Sequence, residues 1–195
     1  MILKLVTAPV VEPVELAMAK LHCRVDISTD NDVFLGLIIS ARQMVEQRAG
    51  RALITQTWRL SLNGWPANGM IELPHAPLQS VTSIQYTDGA GATSTVSAAT
   101  YTVDTDSEPG RVALKYNQTW PTVATLATVN PIQVTYVAGY GATAASVPEM
   151  YRQAILLLVG HWYENREAVI GGTSGYSLRD VPLAFNSLVG IDRMF

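Results

Sequence analysis

The stretch PEMYRQAILLLVGHWYENRE, Pro148–Glu167, decides how the rest of the chain is read. Pro148 suits a first helical position, because its missing N–H would be unpaired there anyway, and Glu149 places an acid in the electropositive first turn. Ala154–Val159 is apolar without a break. At roughly 100° per residue, six such positions cover every side of a helix. The helix therefore needs cover on several faces. The sequence offers few other helices, so a neighbouring subunit is a candidate cover alongside the chain's own core.

Working outward toward the N-terminus, Met1–Val6 is apolar but interrupted by Lys4 and followed by Pro9, which suggests a short strand or arm rather than a signal peptide. A short helix is expected from Val14 to about His22. Ser28–Asp32 is rich in N-cap residues, with Thr29 and Asp32 at capping-box spacing. A long helix then runs to Ala49. Phe34, Leu37, Ile38, Ala41, Met44, Val45 and Arg48 recur at the spacing of one buried face, and Gly50 sits where a glycine ends a helix.

Between the helices the texture changes. Residues 51–147 hold nine charged side chains and fifteen threonines. Ile54, Gln56, Trp58, Leu60 and Leu62 alternate with more polar residues at the strand period. Met70–Leu73, Ser80–Thr87, Thr93–Val96, Tyr101–Asp104, Arg111–Leu114 and Ile132–Val137 read as further strands. Asn63-Gly64, Asn68-Gly69, Asp88–Gly91 and Glu108–Gly110 supply turns. A small antiparallel sandwich or barrel is expected here. After the principal helix come the glycine-rich Ala168–Tyr176 and an apolar tail from Val181 to Phe195, which should dock on its own core or on a partner.

The expected fold class is α+β. It has an α-helical core of three to four helices, from residues 1–50 and 148–195, and a small antiparallel β-domain inserted at 51–147. The principal helix is 148–167 and the docking tail 181–195.

Composition narrows the partners. Hydrophobic residues are 48% and charged residues 15%, against roughly 25% charged in ordinary soluble domains. Much of the surface should therefore meet protein. The net charge is −3, and acids and bases are evenly spread, so no basic patch marks a nucleic-acid surface. Cys23 is the single cysteine, which excludes an intrachain disulfide. No apolar run approaches the roughly 20 residues of a membrane span.

The search for chemistry finds no catalytic motif. His22 and Cys23 are adjacent, so on a helix they point apart. His161 and Glu164 could pair as a base and its orienter, but no nucleophile or metal partner accompanies them, and an aromatic and ionic surface is the plainer reading. His75 lies in a proline-flanked turn. Asp30/Asp32 and Asp104/Asp106 read as a helix cap and a turn. Gly171–Gly175 lacks the lysine and context of a phosphate loop. No cofactor or metal is expected, and the expectation is that the chain is not an enzyme.

Several stretches carry a resemblance: Thr7-Ala8-Pro9 with Glu12-Pro13-Val14, Gly50–Trp58, Pro77–Ile84, Pro109-Gly110-Arg111, Val134–Gly141 and Arg152–Glu167. In this order the chain resembles the head–tail connector (adaptor) proteins of long-tailed bacteriophages, prophages and gene transfer agents. The match covers about Thr7 to Glu167 and frays beyond it.

The resemblance implies a structural virion protein, made in the host cytoplasm and placed in the neck at the head–tail interface. It implies a homo-oligomeric ring, commonly a dodecamer, beneath the portal protein. The ring joins the DNA-filled head to a stopper or tail-terminator protein, and the genome passes through its channel without specific binding. No membrane is involved, and the inserted β region would project from the helical ring. Subunit-contact candidates are Tyr151, Ile155, Leu158, Trp162, Tyr163 and Arg166. Portal-docking candidates are Leu183, Phe185, Leu188, Ile191, Met194 and Phe195. Alternatives are another neck component (a stopper or tail-completion protein), an enzyme using His161 and Glu164, or a carbohydrate-binding β module, prompted by Trp58, Trp65 and Trp120 among threonine-rich strands.

Overall fold

The computed structural model describes residues 1–123 and 125–165, together with Phe185, Leu188 and Val189. The chain divides into two units, one of Met1–Pro9 with Thr55–Tyr140 and one of Val10–Ile54 with the chain from Gly141 onward.

The first unit is built on β8 (Ile132–Ala138), whose burial alternates strictly: Ile132, Val134, Tyr136 and Ala138 are buried and the residues between them half-buried. That is the strand period with one face on a core. β2 (Gln56–Leu62) and β4 (Leu78–Thr87) flank it antiparallel, and Val134 stands opposite Leu60 on one side and Ile84 on the other. β1 (Ile2–Thr7) continues the sheet beyond β2, and β5 (Thr93–Thr95) ends it beyond β4. A smaller antiparallel sheet has the order β3 (Met70–Leu73), β7 (Gly110–Leu114), β6 (Tyr101–Asp104).

Two contacts fix positions in this unit. Gly110 opens β7 against Leu78, so closely that any Cβ there would land on the Leu78 side chain. The Tyr136 hydroxyl donates to the Pro74 carbonyl at 2.7 Å. Burial drives this phenol far above its ordinary range.

The α+β expectation holds, but the β part is larger than a small insertion. Among the described residues its two sheets contain eight strands. Met1–Pro9, expected with the helical part, supplies an edge strand, because Leu3 pairs with Leu60 and Leu5 with Trp58. The boundaries of the intervening β segment fall at Thr55 and Tyr140 instead of 51 and 147.

The second unit contains α1 (Leu16–His22), α2 (Asn31–Ala49) and α3 (Glu149–Glu164). Gly50 ends α2 in the left-handed region at φ 70°, and its N–H bonds to the Glu46 carbonyl, the role expected of a C-terminal glycine. The Thr29/Asp32 capping box does not cap α2. Asp30 occupies the N-cap position, and its carboxylate accepts the Tyr163 hydroxyl at 2.6 Å.

The buried face of α2 is rotated from the one expected. Phe34, Ile38, Ala41, Arg42, Val45, Glu46 and Ala49 are buried; Leu37 and Met44 are half-buried, and Arg48 is exposed. The cause is a buried charge cluster. Arg42 Nε lies 2.7 Å from Glu12 Oε2, and Arg42 Nη1 lies 2.7 Å from Glu46 Oε2. Glu46 Oε1 accepts the Leu53 N–H at 2.9 Å. Burial opposes the guanidinium charge, but hydrogen bonds and attraction to the two carboxylates outweigh it and raise its pKa. The cluster ties the chain before α1 and the chain after α2 to one helix.

The principal helix starts one residue later than expected, with Pro148 at the N-cap. Both α1 and α2 pack on α3. Tyr151, Ala154, Ile155, Leu158 and Val159 are fully enclosed. The cover that seemed to call for a neighbouring subunit thus comes from the chain itself.

Candidate functional site

The residues singled out for chemistry are occupied in structural roles. Asp104 Oδ2 accepts Arg111 Nε at 2.8 Å, and Asp104 Oδ1 accepts the N–H groups of Asp106 and Ser107. The Arg111 bond and then the backbone N–H groups hold its carboxyl below the usual range. His75 stacks on Trp58 with ring centroids 4.2 Å apart. Trp65 stacks on Trp120 at 4.8 Å and meets Tyr86 edge-on.

Gly160 lets α3 pass close to the end of α1, since a Cβ there would lie 3.4 Å from the His22 ring and 3.9 Å from Cys23 Sγ. Burial, and then the charge of Glu164, push the Cys23 thiol up. That is the reverse of what a nucleophilic thiolate requires. His161 Nδ1 faces the Asn165 side chain at 3.5 Å, and that amide also donates to the His161 carbonyl. Among the described residues no group of three His, Cys, Asp or Glu is placed to hold a metal. Nor is any helix among them long and apolar enough to cross a membrane.

The expected subunit-contact residues separate into two groups. Tyr151, Ile155 and Leu158 are fully buried within the chain. Trp162 and Tyr163 are half-buried, with Tyr163 stacked on Phe34 at 4.5 Å. Arg166 lies outside the described residues. So do Leu183, Ile191, Met194 and Phe195 of the portal-docking set, while Phe185 is buried and Leu188 half-buried.

Apolar side chains of the helical unit are exposed elsewhere, at Met18, Leu21 and Ile27 and on α2. Val33, Leu35 and Ile39 are exposed, at 41%, 44% and 41%. No charged residue occurs from Val33 to Ala41. The exposed side of a surface helix normally carries charge. Beside Leu35 runs a groove of about 470 Å³, lined by Val11, Val14, Leu16, Ile38, Ala142 and Ala144, with Glu12, Glu15 and Thr143 among its polar residues. Val10, at 94% exposure, precedes it. The signal for this surface was present in the sequence, as that uncharged nine-residue run, but periodicity alone assigned much of it to a core.

A surface of this kind is built to meet protein, and comparison with known structures says in what setting. No protein-family model matches the chain, and no curated protein matches it by sequence. Solved structures do match, over its whole length. It is similar to a chain in the neck of an empty gene transfer agent (GTA) particle, computed with C6 symmetry, with a TM-score of 0.80 and 26% identity over 100% of this chain and 96% of that one. The chain has the fold of a virion neck protein. A second similar chain, from the virion of a native gene transfer agent particle, has a TM-score of 0.78 and 26% identity over 98% of this chain and 94% of that one. A third, from the neck of a native particle computed with C12 symmetry, has a TM-score of 0.76 and 26% identity over 100% and 96%. Structural proteins of a neck work through surfaces, so the α2 face and its groove are the candidate functional site.

Proposed function

We propose that this protein is the head–tail adaptor of a virion neck. It forms a homo-oligomeric ring, of twelve subunits, beneath the portal, joins the DNA-filled head to the stopper or tail, and leaves a channel for the genome. The single observation that carries this reading is the full-length similarity to chains of a gene transfer agent neck. The helical unit is assigned to the ring and the C-terminal segment to portal attachment, through Leu183, Ile191, Met194 and Phe195. Trp162 is kept as a subunit contact. The role is structural. The net charge of −3, without a basic patch, suits a channel that DNA traverses without being held.

Cryo-electron microscopy of assembled particles tests the proposal. The chain is expected in a closed ring touching the portal on one side and the next neck component on the other. A position in the neck without portal contact would assign it instead to the stopper or tail-completion proteins. A monomer that never joins portal-containing particles would overturn the neck reading altogether.

A further inference from the structure

The proposed ring needs an interface, and α2 has the layout for one. At 100° per residue, Val33, Leu37 and Met44 lie about 160° around the helix from Leu35 and Ile39. The helix therefore has two apolar flanks on nearly opposite sides. Val33 is exposed on one flank, with Leu37 and Met44 half-buried beside it; Leu35 and Ile39 are exposed on the other, next to the groove. The arc between them carries Gly36, Ser40, Gln43 and Gln47, all exposed and uncharged, with exposed Asp32 in the first turn of the helix. A single partner would need one such flank, whereas a head-to-tail contact repeated by rotation needs two different ones, set somewhat under about 180° apart if the ring is to close. The ends of the flanks differ in charge: exposed Glu15 lines the groove, and exposed Arg48 lies one turn beyond Met44.

Resting on the ring reading above, we infer that α2 is the subunit–subunit contact. The groove and the Leu35–Ile39 flank of one copy seat the Val33–Met44 flank of a second copy, and Arg48 approaches the acidic rim. The partner of this surface is the same chain. The rotational symmetry of the similar neck structures supplies the reason for choosing a second copy.

Two sets of substitutions at exposed positions test this without disturbing the core. Leu35→Glu with Ile39→Glu disables the groove side, and Val33→Glu with Ser40→Glu disables the other. Circular dichroism and thermal melting establish that each variant folds like the parent. Native mass spectrometry then reads the assembly of the full-length chain. The parent is expected as a ring, and each variant alone as a monomer. An equimolar mixture of the two is expected to give a heterodimer, because each variant retains one intact side.

Folded variants that still form parental rings would overturn the α2 interface and leave the ring reading standing. Monomeric variants that give no heterodimer when mixed would overturn the two-flank arrangement. A parent chain that is monomeric at every concentration would overturn the ring itself.

Discussion

Arg42 reaches back thirty residues to Glu12, its Nε 2.7 Å from the carboxylate, and so holds the chain ahead of α1 against α2. Glu46 occupies the other side of the same guanidinium and also receives the Leu53 N–H. The cluster thereby fixes two chain segments against the helix that carries the proposed interface.

Replacing that cation removes the Arg42 ion pair from buried Glu46 and half-buried Glu12. Removing one member of a buried ion pair costs about 3–5 kcal/mol. Arg42→Leu is expected to lower stability by about 3 kcal/mol, at the lower end because Glu12 keeps some access to water. Urea unfolding followed by circular dichroism measures it. A change below about 1 kcal/mol would mean that the cluster does not organise the unit.

Tyr163 anchors the far end of α3 to the start of α2 through its bond to Asp30 and its stack on Phe34. Tyr163→Phe keeps the stack and removes the hydroxyl, at an expected cost of about 1–2 kcal/mol. Tyr163→Ala removes both and should cost more. Thermal melting of the pair separates the two contributions, and equal losses would show that the hydroxyl carries the whole effect.

Two glycines should respond in opposite directions. At Gly110 a methyl group would collide with Leu78, so Gly110→Ala is expected to destabilise by about 1–3 kcal/mol. Gly36 lies inside α2 with open space where a Cβ would go. Gly36→Ala should therefore stabilise the isolated subunit by about 0.5–1 kcal/mol. Chemical denaturation checks both, and a stable Gly110→Ala would show that β4 and β7 have room to separate.

Tyr136 sets an alkaline limit. Its phenol loses a proton far less readily when folded than the ordinary phenol range of about 10. The stabilisation it confers is complete below that unfolded value and falls as pH rises above it. Ultraviolet titration of tyrosinate in the parent and in Tyr136→Phe should show Tyr136 among the phenols still un-ionised where the exposed ones have titrated. Tyr136→Phe should weaken the alkaline fall in stability while costing about 1 kcal/mol at neutral pH through the unpaired Pro74 carbonyl. An unchanged alkaline profile would place the limit on another group.

Much of the local structure was legible in the residues. Helix spacing and Gly50 placed α2, and alternation with turn signals placed most strands within a residue or two. Those signals are short-range, since a period of two or near 3.6 is enforced by the backbone itself. The candidate site was less legible. Helical spacing puts Leu37, Met44 and Arg48 on the buried face of α2 and passes over Arg42 and Glu46, because spacing does not reveal which charged residue has a partner that lets it be buried. That partner, Glu12, is distant in sequence. Val33, Leu35 and Ile39 went unmarked for the same reason, since an exposed apolar residue becomes visible only once the buried side is fixed.

Taken alone, the sequence determined the elements, their order and the family likeness, because each is written in local patterns or in their succession along the chain. Only the tertiary structure decided that Met1–Thr7 completes a sheet, that α3 is covered by its own chain, and which side of α2 faces out. Strand partners, buried ion pairs and helix faces depend on residues far apart in the chain, and no local period encodes those encounters.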